Sequence, residues 1–189
     1  ISILGIIGII HLAFGLTIVK FVASQKTEAA VSNLIKWFNY WGILAGGGIS
    51  VCLFLSSPFL SSFLNLTQPS ILYLISPMFL LLVVNYVYRS VLQGLLLFKT
   101  YVASLITDVV VRIVSTVLMI FLGTALFGAV IGMLFGIISG LIITRITLNS
   151  YLTGKREKKP KIMPLLKYSL PVFMQGLAFT SFYSTDILL

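Results

Sequence analysis

The sequence predicts an all-α protein, a polytopic transmembrane helix bundle. Three observations carry that reading. First, 59% of the 189 residues are hydrophobic and only 9% are charged, whereas soluble domains are roughly a quarter charged. Second, the apolar residues fall in long runs of helical rather than strand length. A helix needs roughly 20 apolar residues to cross the hydrocarbon, whereas a barrel strand needs about ten in alternation. Third, the cations are grouped between alternate runs. The composition excludes a soluble globular domain, a disordered chain and a disulfide scaffold; there is a single Cys, Cys52. The net charge of +9 could suit nucleic acid. Its placement between apolar runs argues for membrane orientation instead, and no nucleic-acid partner is expected.

The spans follow in order. Residues 2–19 are uncharged and open the first, set at 2–23. Residues 37–88 are uncharged too, long enough for two spans and a turn. The turn falls between Ser56-Ser57-Pro58 and Gln68-Pro69, where Ser, Pro and Asn gather. This gives spans at 37–57 and 70–97. Residues 100–144 would run to about 67 Å as one helix, so they must fold back, most simply at Gly123-Thr124. Spans at 100–122 and 124–146 result. A last span opens at 164. Residue 1 is Ile inside an apolar run, and Ile187, Leu188 and Leu189 end in another; both ends are expected to be cut within helices. Residues 1–148 form one helical unit, 149–163 a basic linker, and 164–189 the start of a second unit.

Twelve of the 13 Lys and Arg residues fall on alternate connections. Lys20, Lys26 and Lys36 flank the first, Arg89 and Lys99 the third, and Arg145 with six others to Lys167 the fifth. The second and fourth have none. The positive-inside rule places the basic connections in the cytoplasm, including residues 155–161. Span count and charge alternation are independent and agree on a multi-pass protein of the cell membrane, with membrane lipids as partners.

The thirteenth cation, Arg112, lies inside the fourth span, four residues after Asp108 and on the same helix face. A lone charge at helix centre costs about 2.5–3.5 kcal/mol on insertion scales, so the two must pair or meet water. Two readings stay open: an ion pair that locks one helix to another, and a hydrated cavity in which Arg112 meets an anion while Asp108 holds it in place. The second is favoured, because intramembrane charges often mark ligand pathways. Arg89, toward the basic end of the third span, could snorkel to the interface or line a vestibule. Asn85, one turn away on the same face, tilts that choice toward a polar lining. His11 and Asp186 are further intramembrane polar residues. One His and one Cys cannot build a metal site or a nucleophilic triad, so no metal, cofactor or enzymatic activity is expected.

Gly128, Gly132, Gly136 and Gly140 repeat every four residues along the fifth span, extended by Thr124 and Thr144. Such stripes let helix backbones approach closely. Gly46-Gly47-Gly48 should weaken the second span or mark a close contact. Pro77 and Pro171 should kink theirs.

Two stretches carry a family resemblance. Tyr88-Arg89-Ser90-Val91-Leu92-Gln93-Gly94, with Phe98 and Tyr101, is the first. Leu165-Leu166-Lys167-Tyr168-Ser169-Leu170-Pro171, ending in Ser184-Thr185-Asp186-Ile187-Leu188-Leu189, is the second. Together they resemble polysaccharide-biosynthesis flippases of the multidrug/oligosaccharidyl-lipid/polysaccharide exporter superfamily, from the family's second helix to its seventh. The resemblance implies two six-helix lobes around a cavity, and alternating-access flipping of a polyprenyl-diphosphate-linked oligosaccharide to the outer face. The lipid-linked oligosaccharide would be the partner, driven by a coupling ion, the membrane potential or substrate supply. On it Arg112 and Arg89 become candidates for the diphosphate, with Asp108 and Asn85 beside them. A multidrug or metabolite exporter of the same superfamily is the alternative; it would favour an acidic cavity. A membrane glycosyltransferase would need extramembrane carboxylates, and the chain has four acidic residues in all.

Overall fold

The computed structural model describes residues 14–25, 27–63, 70–123, 125–153 and 162–186. His11, most of the first span, residues 154–161 and the side chain of Asp186 lie outside the described residues. Within them the chain is helical throughout. The helices are α1 (Phe14–Ala23), α2 (Glu28–Phe63), α3 (Ser70–Gly94), α4 (Phe98–Phe121), α5 (Ala125–Thr153) and α6 (Ile162–Asp186). Of the described helices, α2, α3, α4 and the Phe127–Thr153 part of α5 are long and apolar enough to cross a membrane.

α2 differs most from the expected span. It starts at Glu28, not residue 37, and runs through Pro58 to Phe63. Thr27 caps its start, its hydroxyl accepting from the Ala30 amide at 3.4 Å, and Glu28 sits well against the helix dipole. Pro58 has no amide for the Phe54 carbonyl. Ser57 Oγ donates to that carbonyl at 2.7 Å instead, so the helix continues through the proline to Phe63. The three glycines leave the helix continuous as well. Only Gly46 is closely packed, where a Cβ would lie 3.1 Å from Leu80 Cα; Gly47 and Gly48 face open space. Pro77 and Pro171 likewise sit inside continuous helices, and Cys52 is exposed.

The two described hairpins close on the same kind of left-handed stop, built on different residues. After α4, Gly123 takes φ +79 and its amide bonds the Ile120 carbonyl at 2.9 Å, the left-handed position that glycine fills at no steric cost. After α3, the Leu97 amide reaches back to Leu92 O at 2.9 Å and the Leu96 amide to Gln93 O at 3.0 Å. That is the same type of helix stop, but its left-handed residue is Leu96, at φ 58.

Neighbours in sequence run antiparallel, so Lys20, Lys36, Arg89, Lys99, Arg145 and Lys167 gather toward one end of the bundle, called here the basic end. The main apolar core lies there. Ile18 and Val22 of α1, Leu34, Ile35 and Phe38 of α2, Val87, Val91 and Leu92 of α3, Leu148 of α5 and Leu165 of α6 form one buried cluster. α6 is pinned to α1 at the same end: Tyr168 meets Phe21 edge-on at 6.1 Å, and Lys20 Nζ stands 3.4 Å over the Tyr168 ring. Helix α4 stands to one side, packed on α5; its buried residues are Ser104 and Asp108.

Candidate functional site

The α4–α5 contact is built from two facing rows at four-residue spacing. Ser104, Asp108, Arg112 and Thr116 line α4. Gly128, Gly132, Gly136, Gly140 and Thr144, all buried, line α5. The rows touch at backbone distance. A Cβ on Gly132 would lie 2.8 Å from the Thr116 amide nitrogen. One on Gly136 would lie 2.7 Å from the Asp108 carbonyl oxygen and 2.8 Å from Arg112 Cβ. One on Gly140 would lie 2.7 Å from Arg89 Nη2 and 3.2 Å from the Ser104 carbonyl oxygen. The glycine row therefore packs a helix and also makes room for a polar cluster.

That cluster is a carboxylate between two guanidiniums. Arg112 Nη2 donates to Asp108 Oδ1 at 2.7 Å, and Arg89 Nη2 donates to Asp108 Oδ2 at 2.9 Å. Arg89 also donates from Nε to Ser104 Oγ at 3.2 Å and from Nη2 to the Ser104 carbonyl at 3.0 Å. Ser104 Oγ donates in turn to the Tyr101 carbonyl at 2.9 Å. The Asp108 side chain is 5% exposed, that of Arg89 17% and that of Arg112 39%. Arg112 Nε is enclosed and has no hydrogen-bond acceptor.

Arg89 turns inward onto Ser104 and Asp108. The physical reason is the direction of its helix. Side chains lean toward their own helix N-terminus, and α3 runs toward the basic end, so Arg89 leans away from it. α4 runs the other way, so Arg112 leans back one turn. Both guanidiniums converge on Asp108 from opposite sides. Asn85 also departs from an open polar lining. It is buried, its Nδ2 donating to the Ile137 carbonyl of α5 at 3.4 Å, with Oδ1 unpartnered.

A second polar string was not legible in the sequence. Arg145 Nη1 donates to the Tyr88 hydroxyl at 2.9 Å, and that hydroxyl donates to Asn39 Oδ1 at 2.9 Å. It ties α5, α3 and α2 at the basic end, and Ser32 Oγ adds a short bond to the Tyr151 carbonyl between α2 and α5. Only the spacing Tyr88-Arg89 hinted at it: consecutive helix positions face different neighbours, so one residue serves each network.

The described residues hold no group of His, Cys, Asp and Glu able to bind a metal ion. The site therefore offers charge, hydrogen-bond donors and a tight helix contact, arranged on helices long and apolar enough to span a membrane. No curated protein and no solved structure matches the chain. A family model described as "Polysaccharide biosynthesis protein" matches residues 3–189. With matched residues running through every described helix and a membrane-spanning architecture around the buried charges, the chain belongs to that polysaccharide biosynthesis family and is a multi-pass membrane protein.

Proposed function

We propose that this protein flips a polyprenyl-diphosphate-linked oligosaccharide across the cell membrane for surface polysaccharide assembly, with Arg112 as a contact for the diphosphate. The observation that carries the reading is the charge of the buried cluster. Two guanidiniums and one carboxylate leave a surplus of one positive charge. The more exposed cation, Arg112, commits only Nη2, to Asp108 Oδ1. Guanidinium pairs bidentately with phosphate oxygens, so an anionic headgroup is the ligand such a site favours over a cationic drug.

The girdle of Trp37, Tyr40 and Trp41, with ring centroids 5.9 and 6.1 Å apart, supports a lipid–water boundary near the basic end, since Trp and Tyr collect there. Gly42, the next residue, packs on Val87. Arg89 is then close to the boundary, and Arg112, about 6 Å beyond Asp108 along α4, reaches into the hydrocarbon layer. The basic end is read as cytoplasmic, the side on which a lipid-linked substrate would be made. The alternative reading, an exporter of drugs or metabolites, would call for a surplus of carboxylates at this position.

The test is transport by purified protein in vesicles, using a fluorescent short-chain polyprenyl diphosphate. Arg112→Ala should abolish flipping while the protein stays folded, and Arg112→Lys should restore only part of it, keeping charge but losing the fork. Unimpaired flipping by a stable Arg112→Ala variant would end the assignment. Labelling of Lys99→Cys from outside intact cells would end the orientation.

A further inference from the structure

The two guanidiniums on Asp108 are not equivalent. Arg89 makes three hydrogen bonds, to Ser104 Oγ, the Ser104 carbonyl and Asp108 Oδ2, and is largely buried. Arg112 makes one side-chain hydrogen bond, to Asp108 Oδ1, and is the more exposed. We infer that Arg89 is not an anion contact but a positioning and charge-compensating residue: it neutralises Asp108 from behind, so that the charge of Arg112 is left over for a ligand. This rests on the reading of Arg112 as a phosphate contact.

The electrostatics need the third residue. Arg112 and Asp108 alone sum to zero. An anion in contact with Arg112 would meet a carboxylate 2.7 Å behind the cation, and its repulsion would cancel about half of the attraction. Arg89 on the second carboxylate oxygen restores a net positive charge while leaving Oδ1 to hold Arg112 in place. The backbone is shaped for this. Arg89 Nη2 occupies the space that a Cβ at position 140 would fill, and Ser104 fixes the guanidinium plane through both its hydroxyl and its carbonyl. Arg89 is thus held by α4 and α5 in one orientation, whereas the free edge of Arg112 is not committed.

The proposal separates from a simple structural role through local potential. Val109, 49% exposed and one helical turn before Arg112 on the same side of α4, is replaced by cysteine in a Cys52→Ser background. Its reaction rates with an anionic (sulfonatoethyl) and a cationic (trimethylammonioethyl) methanethiosulfonate are then compared. Arg89→Gln should lower the anionic-to-cationic ratio by roughly tenfold, the effect of removing one charge at about 10 Å in a medium of intermediate dielectric. Asp108→Asn should raise it. Arg89→Gln with Asp108→Asn should return it to the starting value, and Arg89→Lys should leave it unchanged despite losing the fork to Ser104. Binding of farnesyl diphosphate should follow the same order, lost in Arg89→Gln and regained in the double variant. Should Arg89→Gln fail to fold, the parent, Asp108→Asn and the double variant still carry the comparison, since the double leaves no unpaired carboxylate.

A ratio that Arg89→Gln does not move, or a folded double variant that binds the probe no better than Arg89→Gln, overturns the compensating role and makes Arg89 a direct contact or a mere brace. If the thiol introduced by Val109→Cys reacts with neither reagent, water does not reach the Arg112 face of α4, and the phosphate reading of Arg112 falls together with this inference. If it reacts but only the Arg89 predictions fail, the reading of Arg112 stands alone.

Discussion

The basic-end core and the α4–α5 contact pack helices in opposite ways. The core interlocks large apolar side chains: Phe38, Ile35, Leu92, Val91 and Leu148 are all at or near full burial. The α4–α5 contact has almost no such side chains; glycines on one helix meet Ser104, Asp108, Arg112 and Thr116 on the other. The difference follows the residues each helix presents. Large side chains interlock by shape in the core. Lipid tails are as apolar as leucine, so a contact between spanning helices that is poor in large side chains relies on close backbone approach and polar contacts.

Each region should break under the substitution the other tolerates. Gly136→Leu should have the largest effect. Its side chain would enter the Asp108 backbone, so the protein should fail to accumulate as a monodisperse species after detergent extraction. Gly132→Leu should behave alike. In the core the sensitive direction is reversed: Phe38→Ala should cost about 3–5 kcal/mol, read as loss of thermal stability in detergent.

The ion cluster sharpens the comparison. Asp108→Ala strands two cations in a buried contact and should cost about 3–5 kcal/mol. Removing Asp108 and Arg112 together still strands Arg89, so that pair of changes should not rescue stability. Replacing all three charges, Arg89→Gln, Asp108→Asn and Arg112→Gln, should recover most of it while flipping stays lost. A neutral triple variant that is stable and still flips would make the cluster a lock between helices and nothing more. Arg112→Ala alone should change stability least among the three single changes, because Arg89 remains to pair Asp108.

The smallest effect is expected at the α3–α4 turn. Leu96 holds φ 58, which costs an L-residue about 1–2 kcal/mol. Leu96→Gly should return about 1 kcal/mol, offset in part by the greater freedom glycine gains in the unfolded chain. It should raise the melting temperature by a few degrees with no change in flipping. A lower melting temperature would mean that the exposed Leu96 side chain makes a contact in the membrane that outweighs the strain.

The helical class, the fold-back at Gly123 and the glycine row were legible in the sequence because they depend on length and local periodicity. An uncharged run of some 20 residues must satisfy its own backbone in lipid, and small residues every four positions must share a face. Asp108 and Arg112 were legible as a pair for the same reason, being one turn apart on one helix. The extent of α2 was not, because a proline reads as a break until a neighbouring Ser57 hydroxyl answers the carbonyl it leaves bare. Arg89 and the Asn39–Tyr88–Arg145 string required the tertiary structure. Which way a side chain leans is set by the direction of its own helix, but what it meets is set by a helix elsewhere in the chain, and no local spacing encodes that meeting. The sequence by itself determined that two opposite charges would share one face of an apolar helix. Only the packing of α3 and α5 against α4 decided that the carboxylate would be shared by two cations, one largely buried and the other more exposed.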